Sequence, residues 1–313
     1  MYPGAVGQRD AASRVVARGD CPTARCIVVG NAASGRGFHG SIRFFPRNAN
    51  GNVRPVGGIE GSRTHLGYTS AVAMDSAGDV YAANSSTSTI TVYAPGADGD
   101  VAPIRTIAGS RTQLAQPTGI ALDGDDDLYV VSDAGDRVTV YSPNSNGNVR
   151  PLRVLAGSRT MLSYPWGIAL DSASNIYVTN EGASSITVYA ANAKGNAPPQ
   201  RSISGSLTQL MTPEGIAVDE SGYTYVANWD STTMVVFAPG ASGNQAPARE
   251  DDGLYAPDGV ALDARGRTYV SNGCADDAAF VGVYGAGANN ESPLRTIEGA
   301  KTKLNCSTSI FVR

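Results

Sequence analysis

The stretch PEGIAVDESGYTYVAN, residues 213–228, recurs in variant form along this chain of 313 residues. It holds two runs of apolar and β-branched residues around an Asp-Glu-Ser-Gly turn, which is the pattern of a β-hairpin. A second signature precedes it, Gly-Ser-Arg-Thr at 61–64, 109–112 and 157–160 and Gly-Ser-Leu-Thr at 205–208, at intervals of 48 residues. The fold is therefore predicted from an internal repeat.

Each repeat carries signals for four short strands. An apolar run ends in an aspartate, two alternating runs such as 176–180 and 186–189 follow, and a short run such as 152–155 closes the unit. No segment offers a long helical period. Four-stranded units of this length are typical of the blades of a β-propeller.

Six blades are predicted, five inside the chain and one split between its ends. Residues 309–313 match the first strand of a blade, and residues 26–31, 42–45 and 56–59 match the other three. The fold class is thus an all-β six-bladed β-propeller of four antiparallel strands per blade, in which the split blade closes the ring. We expect one propeller domain over residues 21–313 and a flexible segment over residues 1–20.

Composition and charge exclude several classes of partner. The net charge is −4 and no run of Lys or Arg occurs, so we expect no nucleic-acid partner. No apolar run approaches the roughly 18 residues of a membrane helix, so no membrane span is expected. The interpretation is a secreted or periplasmic monomer whose leader is absent from this chain, with a small molecule, glycan or protein as its ligand.

The phrase Pro-x-Gly-Ile-Ala-Leu-Asp-x4-Ile-Tyr-Val-x-Asn resembles the NHL repeat, and the whole ring over residues 21–313 resembles the NHL and SMP-30/gluconolactonase-like six-bladed propellers. This resemblance implies the fold specifically. It leaves function open, because such propellers include lactonases, phosphotriesterases, lyases, synthases and non-catalytic binding modules.

The middle residue of Pro-x-Gly varies among the repeats and is predicted to lie at the top of the propeller axis, where the first strands begin. In chain order these six residues are Ser70, Thr118, Trp166, Glu214, Asp258 and Thr308. An asparagine ends the second strand of most repeats and is predicted to lie one step outward. Its expected role is to bond loop backbone, with ligand contact as the alternative.

The residues that differ most from the repeat pattern fall in three consecutive blades. Both tryptophans, Trp166 and Trp229, and both acidic Pro-x-Gly residues, Glu214 and Asp258, belong to them. Aromatic surface, carboxylates and amide groups are what a small-ligand site uses. The preferred interpretation is a top-face binding site made of these four residues, with Thr118, Asn180, Asn228 and Asn272 as further ligand contacts.

The alternative interpretation is an enzyme in which Glu214 and Asp258 are catalytic, either as acid and base of a lyase or cyclase or in a metal-assisted lactone or ester hydrolase. The resemblance to SMP-30-like enzymes implies a divalent cation on Glu-Gly, Asn-Gly or Asp-Gly positions, which Glu214 and Asp258 match. Here Ile216 replaces the usual proline after Glu-Gly, and no asparagine occupies Pro-x-Gly. Asn228 and Asn272 would therefore have to complete a site for Ca²⁺, Mg²⁺, Mn²⁺ or Zn²⁺.

The four cysteines fit no zinc-ligand spacing. Cys21 and Cys26 lie close together at the entry of the split blade, and Cys274 and Cys306 lie in top loops of the last blade and the closure segment. We predict the disulfides Cys21–Cys26 and Cys274–Cys306, which would join the chain where the ring closes.

Overall fold

The computed structural model of the chain describes residues 26–32, 39–273 and 279–313. It confirms the all-β prediction, because the described residues form six four-stranded antiparallel sheets arranged in a ring. We number these sheets blades 1 to 6 and list the strands of each from the axis outward. Blade 1 has β24 (Ser307–Val312), β1 (Cys26–Asn31), β2 (Ser41–Pro46) and β3 (Gly57–Ile59). Blade 2 has β4 (Thr69–Met74), β5 (Val80–Asn84), β6 (Thr89–Tyr93) and β7 (Arg105–Ile107).

The other four blades repeat this order without a split. Blade 3 has β8 (Pro117–Leu122), β9 (Leu128–Ser132), β10 (Arg137–Tyr141) and β11 (Arg153–Ala156). Blade 4 has β12 (Pro165–Leu170), β13 (Ile176–Asn180), β14 (Ser185–Tyr189) and β15 (Arg201–Ser204). Blade 5 has β16 (Pro213–Val218), β17 (Thr224–Asn228), β18 (Thr233–Phe237) and β19 (Arg249–Asp251). Blade 6 has β20 (Pro257–Leu262), β21 (Thr268–Asn272), β22 (Phe280–Tyr284) and β23 (Arg295–Glu298).

The core lies between adjacent blades, because both faces of each sheet are covered by a neighbour. Between blades 2 and 3, for example, Ile90 and Tyr81 of one blade and Leu128 and Tyr141 of the next belong to a single buried apolar cluster. Alternating β-branched and aromatic residues therefore serve both faces of a sheet. Helical structure among the described residues is limited to two short 3-10 turns, and none of it has the length and apolarity that a membrane crossing requires.

The Gly-Ser-Arg-Thr signature forms the loop that crosses from one blade to the next. In the loop before blade 4, Gly157 has a φ of 121°, and a Cβ there would lie 2.7 Å from Oδ1 of Asn196. That same Oδ1 accepts the Arg159 N–H at 2.7 Å, and the Tyr189 hydroxyl donates to the Thr160 carbonyl at 2.6 Å. The signature is kept because it ties each crossing loop to the outer part of the blade that follows.

The aspartate that follows the innermost strand also stabilises the blade. Oδ1 of Asp171 accepts the N–H groups of Ala173 and Asn175 at 2.9 Å each. The Tyr177 hydroxyl, near Oδ2 of the same carboxylate, accepts a 2.7 Å hydrogen bond from Arg201. Asp, Tyr and Arg from strands one, two and four thus form one polar unit on the bottom face.

The ring closes through blade 1, as the split repeat predicts. β24 pairs antiparallel with β1 from Ile27 opposite Val312 to Asn31 opposite Ser307. Neither Cys26 nor Cys306 is a free thiol. Cys21 and Cys274, their predicted partners, lie outside the described residues, as do residues 1–20, so both disulfides and the flexible N-terminal segment stay predictions.

Candidate functional site

The six Pro-x-Gly positions begin the six innermost strands, and these strands neighbour one another around the axis. A cavity of about 90 Å³ lies between them and is lined by Ser70, Thr118, Trp166, Asp258 and Thr308, together with the two residues after each Pro-x position. Glu214 is itself only 6% exposed, and its neighbours Gly215 and Ile216 line the cavity. The structure therefore brings the sequence-predicted axial residues together.

Three of the axial residues carry hydroxyl groups, and these groups form hydrogen bonds between neighbouring blades. Ser70 Oγ donates to the Pro117 carbonyl at 2.6 Å, Thr118 Oγ1 to the Pro165 carbonyl at 2.9 Å, and Thr308 Oγ1 to the Thr69 carbonyl at 2.5 Å. Each bond joins the start of one innermost strand to the start of the next. The hydroxyl proton of Thr118 is thus engaged within the ring, and a ligand contact there stays a prediction.

Glu214 and Asp258 depart from this pattern, because their carboxyl groups bond to each other. Burial raises the pKa of both groups, and the hydrogen bond between them favours the protonated form of Glu214 and the ionised form of Asp258, so Glu214 is the donor once Asp258 ionises. The Trp166 indole N–H also donates to Asp258. Asp258 is 5% exposed, so the pair is screened from water on most sides.

Burial controls the protonation of this pair. Burial raises the pKa of Asp258 to about 8, against the two hydrogen bonds that favour its charged form. Burial and the charge of Asp258 together raise the pKa of Glu214 well above its usual range. Two carboxyls this close cannot both ionise easily, so the pair retains a proton at neutral pH.

Each carboxyl keeps one oxygen without a hydrogen bond. These atoms are Oε2 of Glu214 and Oδ1 of Asp258, and both are buried with no partner among the described residues. An unsatisfied buried oxygen costs free energy and is uncommon in folded proteins. The two atoms therefore have capacity for a further hydrogen-bond donor or a positive charge.

Tyr68, which the sequence analysis did not identify, lies close enough to interact with the pair. Burial, followed by the negative charges of Asp258 and Glu214, raises the pKa of Tyr68 to about 12. At the same place in the other blades, Gln116, Tyr164, Thr212, Ala256 and Cys306 all have positive φ, whereas Tyr68 does not. The sequence shows only that this copy is irregular, because Pro-x-Gly is replaced by Thr69-Ser70-Ala71.

Further carboxylates surround the pair on the top face. Glu181 and Asp230 follow the second strands of blades 4 and 5, and their charges raise the pKa of Glu214 further. Asp133 follows the second strand of blade 3, and its charge together with burial raises the pKa of Glu181. We call Asp133, Glu181 and Asp230 the acidic rim.

The remaining predicted site residues lie further from the cavity. Trp229 is 38% exposed in the loop after β17 and does not line the cavity. Asn180, Asn228 and Asn272 are 0% exposed, and their Oδ1 atoms accept the N–H groups of Ser163, Met211 and Tyr255 in the crossing loops. This is the backbone role expected for these asparagines, and ligand contact by them stays a prediction without support from their hydrogen bonds.

The hydrogen bonds of the asparagines also argue against the predicted divalent-metal site. The predicted ligands are Glu214 and Asp258, completed by Asn228 or Asn272, but both asparagine oxygens accept hydrogen bonds from loop amides. Of the carboxyl oxygens of Glu214 and Asp258, only Oε2 and Oδ1 respectively are buried without a hydrogen-bond partner. Across the described ranges no group of three or more His, Cys, Asp or Glu side chains is placed to hold a metal ion. These residues do not fit the predicted site.

Comparison with known proteins supports the fold alone. No protein-family model and no curated protein sequence matches the chain. Among solved structures, a Bacteroides caccae protein of unknown function has a TM-score of 0.66 at 13% identity, over 91% of this chain and 97% of that one. A candidate 6-phosphogluconolactonase from Bacteroides fragilis has a TM-score of 0.61 at 13% identity, over 92% and 98%. Virginiamycin B lyase from Staphylococcus aureus has a TM-score of 0.55 at 12% identity, over 84% and 85%.

Proposed function

We propose that the protein binds a small organic molecule at the top of the propeller axis, where Glu214 and Asp258 make polar contacts and Trp166 supplies aromatic surface. The observation that carries this proposal is the carboxyl pair with two buried oxygens that have no partner. Hydroxyl residues at the matching positions of blades 1 to 3 complete their hydrogen bonds within the ring, so the unpartnered oxygens of the carboxyl pair depart from that shared architecture. Convergent polar groups in an axial cavity are typical of ligand sites.

A screen of small molecules tests this proposal. Amines, alcohols, lactones, esters and sugars would be screened by ligand-observed NMR against the wild type and a Glu214→Gln/Asp258→Asn variant. We expect a subset of the molecules to bind the wild type and to lose most of their signal with the variant. A Glu220→Gln variant, which changes an exposed carboxylate on a bottom turn, should bind like the wild type. Equal binding to all three proteins would contradict the proposal.

A second candidate function is acid/base catalysis by the same pair, as in a lyase or cyclase. It is favoured by the raised pKa of Asp258, about 8, and by the proton held on Glu214, since a catalytic acid or base works best near the operating pH. Two of the solved structures similar to this chain carry the names of a lyase and a candidate lactonase, which agrees with a fold that accommodates enzymes. The metal-assisted hydrolase is not proposed, because the donor set does not fit.

Turnover of the molecules that bind would distinguish the two functions. If the pair is catalytic, Glu214→Gln lowers kcat by at least about a hundredfold, in line with typical general acid/base contributions. The activity should survive a chelator, because no step depends on a divalent metal. Substrates that bind the wild type but are recovered unchanged would favour the binding function.

A further inference from the structure

The axial site has acidic groups with no basic partner. Within the described residues, none of the ion pairs includes Glu214, Asp258 or a residue of the acidic rim. The described residues that line the axial cavity include no Lys, Arg or His. Buried carboxylates are usually paired with an opposite charge, so ionisation of this pair would be stabilised by a positive partner that the residues around it do not supply.

The aromatic residues around the carboxyl pair also favour a positively charged ligand. Trp166 lines the cavity and donates to Asp258, and Tyr68 lies within electrostatic reach of both carboxyls. Indole and phenol rings attract cations through their negative faces, with Trp the stronger of the two. Carboxylates and aromatic rings around one cavity are the groups that recognise ammonium ions.

The position of the acidic rim adds a longer-range attraction. Glu181 and Asp230 lie on the same top face as the pair and act on Glu214 through their charge. Asp133 extends the rim to blade 3, where its buried Oδ1 also lacks a hydrogen-bond partner. A cluster of carboxylates near a cavity attracts ligands of the opposite charge.

From these observations we infer that the ligand of the axial site is an organic cation, whose ammonium head group enters the cavity beside Asp258, Glu214 and Trp166. The inference rests on the proposed binding function and specifies its ligand class. The cavity of about 90 Å³ limits the inserted part to a small head group, so the apolar body of the ligand would lie on the top face. There Trp229 and Tyr164 offer exposed aromatic surface on blades 5 and 4.

Cation binding should release a proton from the pair. A cation stabilises the ionised form of Asp258, so the proton that Asp258 holds below about pH 8 must leave to solvent. The charged and titratable groups that act on the pair are Tyr68 of blade 2, Glu181 of blade 4 and Asp230 of blade 5. Affinity for a cation is therefore expected to rise with pH until Asp258 is ionised.

Three probes with one apolar body and different charge test the inference. Benzyltrimethylammonium, benzyl alcohol and benzoate would be titrated by calorimetry at pH 8.5 into the wild type, Asp258→Asn, Glu214→Gln and the Glu220→Gln control. We expect the cation to bind the wild type and the control at least tenfold more tightly than the alcohol, and benzoate to bind weakest. Each axial variant should lose at least tenfold in cation affinity while its circular dichroism spectrum stays unchanged.

The pH dependence supplies a second, independent readout. Benzyltrimethylammonium keeps its charge at every pH, so its dissociation constant should fall by up to tenfold per pH unit from pH 6 to 8 and then level off. The slope should vanish in Asp258→Asn.

The outcomes separate the ligand class from the binding function. If benzyl alcohol or benzoate binds as tightly as the cation and loses affinity in the axial variants, the axial site stands and the cationic class is wrong. If benzyltrimethylammonium does not bind, the cationic class is also overturned. Probe binding that is unaffected by both axial substitutions would remove the proposed site itself.

Discussion

At the scale of the residue, Asp258 and Glu214 replace hydroxyls that elsewhere donate to the neighbouring blade. A hydroxyl always carries a proton to donate, whereas a carboxyl does so only when it is protonated. The two carboxyls satisfy this requirement by bonding to each other, and burial keeps their proton in place. Replacement of hydroxyl residues by Glu214 and Asp258 therefore introduces a group that titrates near neutral pH at the centre of the ring.

The pH dependence of stability follows from the raised pKa of Asp258. Its pKa is about 8 in the folded protein against 3.8 in the unfolded chain. The protonated carboxyl thus stabilises the fold fully below about pH 4, and this contribution is lost as pH rises to about 8. We expect Asp258→Asn to be more stable than the wild type by at least ~1 kcal/mol at pH 9, and the difference to shrink towards pH 5.

Urea unfolding followed by circular dichroism at pH 5, 7 and 9 measures this difference. Asparagine keeps the shape of the side chain, accepts from Trp166 and donates to Glu214, so the variant should fold. The Glu220→Gln control should follow the wild type at each pH. Parallel pH profiles for the wild type and Asp258→Asn would show that Asp258 does not titrate as expected.

At the scale of the element, hydroxyl side chains at the start of an innermost strand bond to the backbone at the start of the neighbouring innermost strand. The Thr118 hydroxyl bonds the Pro165 carbonyl of the next blade at 2.9 Å, from a position that is 4% exposed. Such a bond in a buried place contributes net stability even though it is only one of many. It also explains why small hydroxyl residues recur there.

Thr118→Val tests this contact, because valine preserves the shape and removes the donor. We expect a loss of about 1 kcal/mol in the free energy of unfolding, with up to ~3 kcal/mol if the Pro165 carbonyl stays unsatisfied. Thr118→Ser keeps the hydroxyl and should recover most of that loss. Equal stability of the valine and serine variants in urea unfolding would show that the hydrogen bond contributes nothing.

The Asp-Tyr-Arg unit on the bottom face is the second element-scale feature. Asp171 accepts two turn amides and interacts with Tyr177, so Asp171→Ala leaves several polar groups without partners. We expect a loss of about 1–3 kcal/mol in the free energy of unfolding. Asp125→Ala, which removes an exposed carboxylate from the matching turn of blade 3, should change it by less than about 0.5 kcal/mol. Thermal and urea unfolding of both variants would measure the difference.

At the scale of the whole molecule, the ring depends on blade 1, where the two ends of the chain meet. β24 supplies its innermost strand from residues 307–312, while β1 to β3 come from residues 26–59. The seam, where β24 pairs with β1, lies within a sheet, so opening the ring requires breaking a strand pairing. This arrangement places Cys26 and Cys306 on the two segments that form the seam.

The predicted disulfides Cys21–Cys26 and Cys274–Cys306 should strengthen this seam. Peptide mapping by mass spectrometry without reductant is expected to find both linked pairs. Reduction should lower the free energy of unfolding, mostly through the longer Cys274–Cys306 loop, by about 2–4 kcal/mol. Four free thiols in the unreduced protein, or an unfolding midpoint that is insensitive to reductant, would contradict the pairing.

Much of the architecture could be predicted from the sequence, because the interactions that define a blade are repeated. The interval of 48 residues, the alternation of β-branched residues and the split copy at the two ends gave the blade count, the strand order and the closure. The Pro-x-Gly positions also placed Trp166, Glu214 and Asp258 at the axis, since equivalent residues of a repeat occupy equivalent places around a ring.

The tertiary structure decided how these residues pair. Tyr68 reaches two carboxyls that lie 146 and 190 residues further along the chain, and nothing in its local sequence specifies that contact. The oxygens of Asn228 and Asn272 accept loop amides, so they do not complete the predicted metal site. The sequence by itself determined the ring and the identity of its axial residues, because both follow from local periodicity. Only the closed ring decided that Glu214 and Asp258 share a proton, because burial and contact between blades raise their pKa.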